Sequence, residues 1–380
     1  MRSIAPFILK DLKRKIVFLS GPRQAGKTTL AQSLESNFKK PIYFNYDDDI
    51  SKRALLTRSW NDENEFLIFD EIHKFPRWKN WLKGIYDLEK KKHKFLVTGS
   101  ARLDVYKRGG DSLLGRYLSW RLHPFSLSEL PKGISVRDAF HRLMTVGGFP
   151  EPFLDADETF ARRWRLQRFN RILKEDIRDL ESVTKIETLS LFVDLLRQRV
   201  GSEIVLENIA NDLEVAPKTL KQWLDVLERM YLIFVVRPYS KKNARAIKKA
   251  PKVYFYDTGD VIGDEGARYE NLVASALLKH LHFREDSEGH RMELFYYRDK
   301  DGHEVDFVVT QDSIVTDLIE AKWSDVQISK SLRYLAERLK PRQALQLLAQ
   351  THPTETKNKL RLASALDILS RPEPKILSPI

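Results

Sequence analysis

Gly21-Pro22-Arg23-Gln24-Ala25-Gly26-Lys27-Thr28 decides the fold of the first third of this chain. The apolar run Ile16-Val17-Phe18-Leu19 precedes it and an amphipathic stretch follows it to near Phe38, so the octet reads as the tight loop between a buried strand and a helix. Gly21 and Gly26 let the backbone wrap closely enough for successive N–H groups to face phosphate oxygens. Lys27 then reaches the β- and γ-phosphates, and Thr28 supplies a hydroxyl to Mg²⁺. The expected nucleotide contacts are Gly21, Pro22, Arg23, Gln24, Ala25, Gly26, Lys27, Thr28 and Thr29, with ATP and Mg²⁺ as cofactors.

Working outward, Ile42 to Asn45, Phe66 to Phe69 and Phe95 to Thr98 read as further buried strands with helical patterns between them. Such alternation implies an α/β fold with a parallel sheet covered on both faces. Phe66-Leu67-Ile68-Phe69-Asp70-Glu71 ends in two acids, and a buried strand presents its C-terminal carboxylate at the ligand-binding edge of such a sheet. Asp70 is therefore expected to order Mg²⁺, and Glu71 to polarise the attacking water. Thr98 or Ser100, at the end of the next strand, are the candidate γ-phosphate sensors. A transition state with charge on phosphoryl oxygens calls for a permanently charged planar donor. Arg116 is the expected arginine finger, with Arg102 and Arg108 as rivals; His73 reads as a surface or packing residue.

The chain has 380 residues, with 65 Lys+Arg against 53 Asp+Glu, a net charge of +12 that points to a polyanionic partner. There is no Cys, which removes disulfides, thiolate metal sites and cysteine nucleophiles together. No stretch approaches the ~20 apolar residues of a membrane span, and Met1 to Lys15 lacks a signal-peptide core. The cytoplasm is the expected location, with no membrane partner.

GPRQAGKTT, LIFDEIHKFPRWKNWLK, LVTGSARLDVYKRGGDSLLGRY, LHPFSLSEL and GGFPEPFL together resemble the bacterial and archaeal AAA-type ATPases that carry a C-terminal domain of unknown function. The resemblance spans nearly the whole chain. It implies ATP binding and hydrolysis by Gly21 to Thr28 with Asp70 and Glu71, followed by a winged helix and a nuclease-like domain. One departure is the sensor strand, which in that family usually ends in Asn and here ends in Thr98-Gly99-Ser100.

The rest of the chain is expected to divide into a helical connector at 131–183, a winged helix at 184–257, a second α/β domain at 258–350 and a tail at 351–380, after an ATPase core at 1–130. In the winged helix, Leu206 to Leu213 and a helix from Pro217 to Met230 flank a short turn, and two β-rich runs follow. Lys218 and Lys221 open the second helix, where a reading helix meets DNA. Between Arg237 and Lys252 lie seven bases and no acid, including Lys241, Lys242, Arg245, Lys248 and Lys249, an expected phosphate-tracking loop.

The last domain resembles the PD-(D/E)XK nuclease fold, particularly archaeal Holliday-junction resolvases. That resemblance rests on Glu270 on a helix, Asp306 on a strand, and Glu320-Ala321-Lys322 on the next strand. Asp306 and Glu320 would share Mg²⁺, Lys322 would position the nucleophile and Glu270 would support the metal, with Glu304 a weaker extra.

These readings converge on a Mg²⁺-dependent ATPase acting on duplex or branched DNA. The alternatives are a nucleotide-gated switch for a protein partner, of toxin-antitoxin or defence type, and an ATP-gated metal-dependent nuclease. A finger acting in trans would require a homo-oligomer.

Overall fold

Five parallel strands carry the first unit, Met1–His123, in the computed structural model, which describes residues 2–99, 113–177, 185–240, 250–357 and 359–377. They are β1 (Ile16–Ser20), β2 (Ile42–Asn45), β3 (Phe66–Asp70), β4 (Lys94–Thr98) and β5 (Tyr117–Arg121), in the order β2-β3-β4-β1-β5. Both IVFLS and FLIFD are buried along their whole length, as a parallel sheet covered on both faces requires. Helices Lys27–Ser33, Asp49–Leu56 and Trp78–Glu89 follow β1, β2 and β3. Phe18, Phe69, Trp78, Leu82 and Phe95 belong to one buried cluster between sheet and helix.

The strand order sets up the site. β4 lies between β1 and β3, and Thr98 is register partner to Leu19 on one side and to Asp70 on the other. All the strands run one way, so the ends of β1, β3 and β4 open at a single edge. The loop after β1 lies against the chain leaving β5: Gly21 has φ +143°, and a Cβ there would stand 2.3 Å from the Leu122 carbonyl oxygen. Only glycine fits this approach.

In the second unit, Pro124–Ile380, helices Val136–Thr145, Pro150–Asp155 and Glu158–Arg171 occupy the expected connector. The GGFP break between the first two is packed against acid: Gly147 has φ +85°, and a Cβ there would lie 1.8 Å from Asp257 Oδ1. Around it runs a buried ionic network, with Arg165 4.0 Å from Asp257 and Arg168 and Arg197 3.8 and 2.8 Å from Asp260. Arg168 also stacks over Phe149, 4.0 Å from its ring centre.

Helices Ile186–Arg197, Leu206–Asp212 and Pro217–Arg229 lead into the antiparallel pair β6 (Ile233–Pro238) and β7 (Lys252–Phe255). This pair is not closed off at residue 257. β6 pairs in parallel with β8 (Met292–Arg298), through Arg237 with Phe295 and Pro238 with Tyr296, which extends one sheet to eight strands. A free β6 edge would leave backbone groups unpaired, and β8 supplies the partner.

The other strands are β9 (Glu304–Gln311), β10 (Ile314–Lys322), β11 (Gln343–Leu348), β12 (Glu355–Lys357) and β13 (Leu360–Ser364), in the order β12-β13-β11-β10-β9-β8-β6-β7. Helix Glu265–Glu288 precedes β8, and Lys330–Leu339 connects β10 to its parallel neighbour β11. A two-residue turn with φ +50° at Asp312 and +69° at Ser313 pins the β9–β10 register. The stretch after 350, expected as a tail, supplies β12, β13 and helix Ala365–Leu369; β13 pairs in parallel with β11 and is buried along most of its length.

Candidate functional site

At the open edge of the first sheet, Asp70 gathers three hydroxyls. Thr28 donates to its Oδ2 at 2.8 Å, Tyr43 to the same oxygen at 2.7 Å and Thr98 to Oδ1 at 2.5 Å. The phosphate-loop helix and strands β2, β3 and β4 thus meet on one carboxylate. Gly26, with φ +90°, turns the chain into the helix, and the buried Lys27 ammonium donates to the carbonyls of Gly21 at 3.0 Å and Pro22 at 2.7 Å. Gln24 and Thr29 are exposed.

Glu71 has φ +56°, the left-handed region, and its N–H donates to Thr98 O at 3.1 Å. Holding a non-glycine residue there costs about 1–3 kcal/mol and directs the carboxylate away from the path of the strand. Its Oε2 is buried, 3.5 Å from both Lys74 Nζ and His73 Nε2. Burial, aided by the Asp70 charge, raises the Glu71 carboxyl above its ordinary range against the opposing pull of Lys74, Lys27 and Arg23. A carboxylate made more basic in this way suits proton acceptance from water. His73 is buried, which corrects its reading as a surface residue and leaves the packing role.

Two expectations for this edge part company. Thr98 is spent on Asp70, and Ser100, Arg102 and Arg108 lie outside the described residues. Arg116 sits where β5 begins, its carbonyl bonded to the N–H of Ile16 at the start of β1. Its guanidinium forks onto Asp87 at 2.8 and 3.0 Å. Because β1 and β5 are parallel, that is the sheet edge opposite the phosphate loop. Arg116 is not part of its own chain's nucleotide site.

A second site lies within Pro124–Ile380. Asp306 on β9 accepts from the Ala321 N–H of β10 at 2.8 Å. Glu320 and Lys322, two apart, share the face beside it with Nζ and Oε1 2.9 Å apart. Glu270 comes from helix Glu265–Glu288 and accepts from Tyr254 OH at 2.7 Å. All four residues expected from the sequence are therefore brought together.

The sequence reading missed Lys252. Read there as the first residue of a β-rich run, Lys252 to Tyr256, and counted with the bases of the loop before it, it is 2% exposed on β7, with Nζ 2.7 Å from Glu304, 3.7 Å from Glu270 and 4.0 Å from Asp306. The legible signal was strand alternation: Lys252 and Tyr254 share a face, and both turn onto Glu270.

Burial and the Asp306 charge push Glu320 up to about 8, and the same two causes push Glu270 up to about 7. Asp306 is also raised by burial, with Lys252 and Lys322 opposing. Burial lowers Lys252, but Glu270, Asp306 and Glu304 together outweigh it and hold the ammonium charged. Glu320 Oε2 is buried with no hydrogen-bond partner. An unpaired buried carboxylate oxygen is costly, and hard oxygen donors of this kind fit Mg²⁺ or Mn²⁺. Of the DNA-facing candidates, Lys218 and Lys221 are exposed at the start of helix Pro217–Arg229; Lys241, Lys242, Arg245, Lys248 and Lys249 lie outside the described residues.

Comparison with known families agrees with the first site. Residues 13–131 match the AAA domain model. They form an AAA-type P-loop ATPase domain. Downstream of the AAA domain, residues 137–261 and 265–367 match two models described as domains of unknown function, 8612 and 4143.

An uncharacterized protein of Mycobacterium tuberculosis is 27% identical over 250 residues, 64% of this chain and 54% of that protein, and a Mycobacterium bovis protein matches equally. This chain thus spans about half the length of those mycobacterial relatives. An uncharacterized protein of Methanocaldococcus jannaschii is 25% identical over 339 residues, covering 79% of this chain and 73% of the relative. Among solved structures, the Thermotoga maritima RuvB Holliday junction branch migration motor has 17% identity and a TM-score of 0.29, covering 64% of this chain and 92% of its own. A signal transduction ATPase with numerous domains and a tetratricopeptide repeat sensor, from Pyrococcus horikoshii, has 18% identity and a TM-score of 0.24, covering 75% and 47%. No helix among the described residues is long and apolar enough to cross a membrane.

Proposed function

We propose that the chain is a Mg²⁺-dependent ATPase that acts on DNA, with nucleotide held by Gly21 to Thr29. The carrying observation is the meeting of Thr28 and Asp70 at 2.8 Å beside Glu71. Thr28 and Asp70 would hold the metal, which neutralises phosphate charge when bound. Glu71 accepts the proton of the attacking water, and Lys27 exchanges the loop carbonyls for phosphate oxygens. Arg116, at the far edge, can serve only the nucleotide of a neighbouring copy, which ties that role to a homo-oligomer.

The DNA assignment is supported by the +12 charge and by Lys218 and Lys221, exposed at the start of the second helix of a helix-turn-helix. The β6–β7 pair fits the place of a wing. In the last domain, helix Glu265–Glu288, the antiparallel strands β8, β9 and β10 and the carboxylates they carry support a nuclease-like reading. There Asp306 and Glu320 would bind Mg²⁺ and Lys322 would position the nucleophile. Domain limits of 1–130, 131–183, 184–257 and 258–350 go with this reading, with β12, β13 and helix Ala365–Leu369 joining the last domain.

The test is phosphate release from ATP with no DNA and with single-stranded, duplex or four-way DNA. Stimulation of at least tenfold by one DNA form is expected. Slow turnover indifferent to every DNA would replace this reading with a nucleotide-gated switch for a protein partner.

A further inference from the structure

Lys252 stands where a cation belongs. Its ammonium is buried among Glu304, Glu270 and Asp306, which arrive from two separate elements, helix Glu265–Glu288 and strand β9. Only the Glu304 contact, at 2.7 Å, is a close hydrogen bond; the other two, at 3.7 and 4.0 Å, are electrostatic. One ammonium therefore satisfies this group incompletely.

Acidic groups also outnumber basic ones around it. Arg298, at the rim, lies between Glu203 and Glu304 at 3.6 and 3.8 Å, and Lys322 pairs with Glu320. Five carboxyl groups (Glu203, Glu270, Glu304, Asp306, Glu320) thus crowd around three bases (Arg298, Lys252, Lys322). The buried Glu320 Oε2, which has no hydrogen-bond partner, offers a divalent cation an oxygen. Lysine is a compact charge on a flexible four-carbon stem, so it can leave without movement of β7.

We propose that Lys252 and a divalent cation compete for the same carboxylates, so that metal loads this site by displacing the Lys252 ammonium. Lys252 is then a positioning residue that holds the acids together in the metal-free protein. Like-charged groups at this spacing would otherwise repel or take up protons. The inference rests on the metal reading of Asp306 and Glu320 proposed above, and the experiment separates the two.

The experiment is reductive methylation of lysines in the full-length wild-type chain, with and without Mn²⁺, read by mass spectrometry at each lysine. Mn²⁺ occupancy is followed in parallel by electron paramagnetic resonance. Labelling of Lys252 should rise at least fivefold with Mn²⁺. Lys279, buried against Glu129 at 2.7 Å in the same unit, serves as an internal control and should not change. In Asp306→Ala the Mn²⁺ effect on Lys252 should vanish, and Lys252→Met should bind Mn²⁺ about tenfold more tightly than wild type. Asp306-dependent Mn²⁺ binding with Lys252 still protected would overturn the exchange and leave the metal site standing. No Asp306-dependent Mn²⁺ binding at all would overturn both.

Discussion

Thr28 and Asp70 are joined by a 2.8 Å hydrogen bond across 42 residues of sequence, from the phosphate-loop helix to the end of β3. Asp70 also accepts from Tyr43 and Thr98. It is both the expected metal ligand and the polar hub of its sheet edge, and its removal would disturb two roles at once.

Glu71 separates chemistry from architecture. Its carboxylate lies 3.5 Å from His73 and Lys74, and the hydroxyls on Asp70 come from Thr28, Tyr43 and Thr98, so Glu71→Gln should leave the hub intact. Turnover should fall by about 10²–10⁴, the usual contribution of a positioned base, while ATP binding stays within a few-fold of wild type. Single-turnover hydrolysis together with nucleotide titration checks this; wild-type turnover in Glu71→Gln would move the base elsewhere. Lys27→Ala should lose turnover through weakened phosphate binding, visible in the same titration.

Gly21 makes a purely steric prediction. Gly21→Ala puts a methyl group 2.3 Å from the Leu122 carbonyl oxygen at a φ of +143°. Overpacking costs about 1–3 kcal/mol, and backbone strain of this kind adds about 1–3 kcal/mol. Thermal unfolding should show a clear drop in Tm with ATP affinity lost alongside. A variant with wild-type Tm would mean that the loop can retreat from β5.

The first sheet was legible because one local motif fixed β1, the loop and the helix, and FLIFDE then had only one edge on which its acids were useful. Glu270, Asp306, Glu320 and Lys322 were legible as chemistry, since carboxylates and a lysine at strand and helix positions form a pattern. Lys252 was not, because although a β-rich run was read from Lys252 to Tyr256, a lysine closing a basic run looks solvent-facing until the acids its strand face meets, Glu270, Glu304 and Asp306, are known. Strand β11 hides behind the buried Gln343 and Gln346, whose amides are satisfied by Asp317, the Leu377 carbonyl and the carbonyls of Asp325 and Gln327. No local pattern announces partners so distant. The β6–β8 pairing rests on two residue pairs and has no sequence signature at all.

Glu320 and Glu270, raised to about 8 and about 7, make stability depend on pH. Between the ordinary carboxylate range near 4.5 and these values the folded chain binds more protons than the unfolded one. Stability from this source is therefore greatest below about pH 4.5 and is lost as pH rises toward 8. Urea unfolding in the presence of a chelator should show a wild-type slope between pH 5.5 and 8.5 that is more negative than that of Glu320→Gln. Divalent cation should reverse the trend, because deprotonated carboxylates bind it better as pH rises. Equal slopes for the two proteins would remove the buried Glu320 carboxyl as the cause.

Lys218 and Lys221 provide the test of where DNA sits. Both are exposed, three apart at the start of helix Pro217–Arg229, and so lie on one face of its first turn and a half. Each phosphate contact contributes about 0.9 to the slope of log affinity against log salt. Replacing both lysines with Gln should therefore lower that slope by up to about 2 and weaken binding to all sequences alike. Loss confined to some sequences would mean that the two side chains read base edges instead. An unchanged slope would take this helix off the DNA altogether and leave the +12 charge to act through another face.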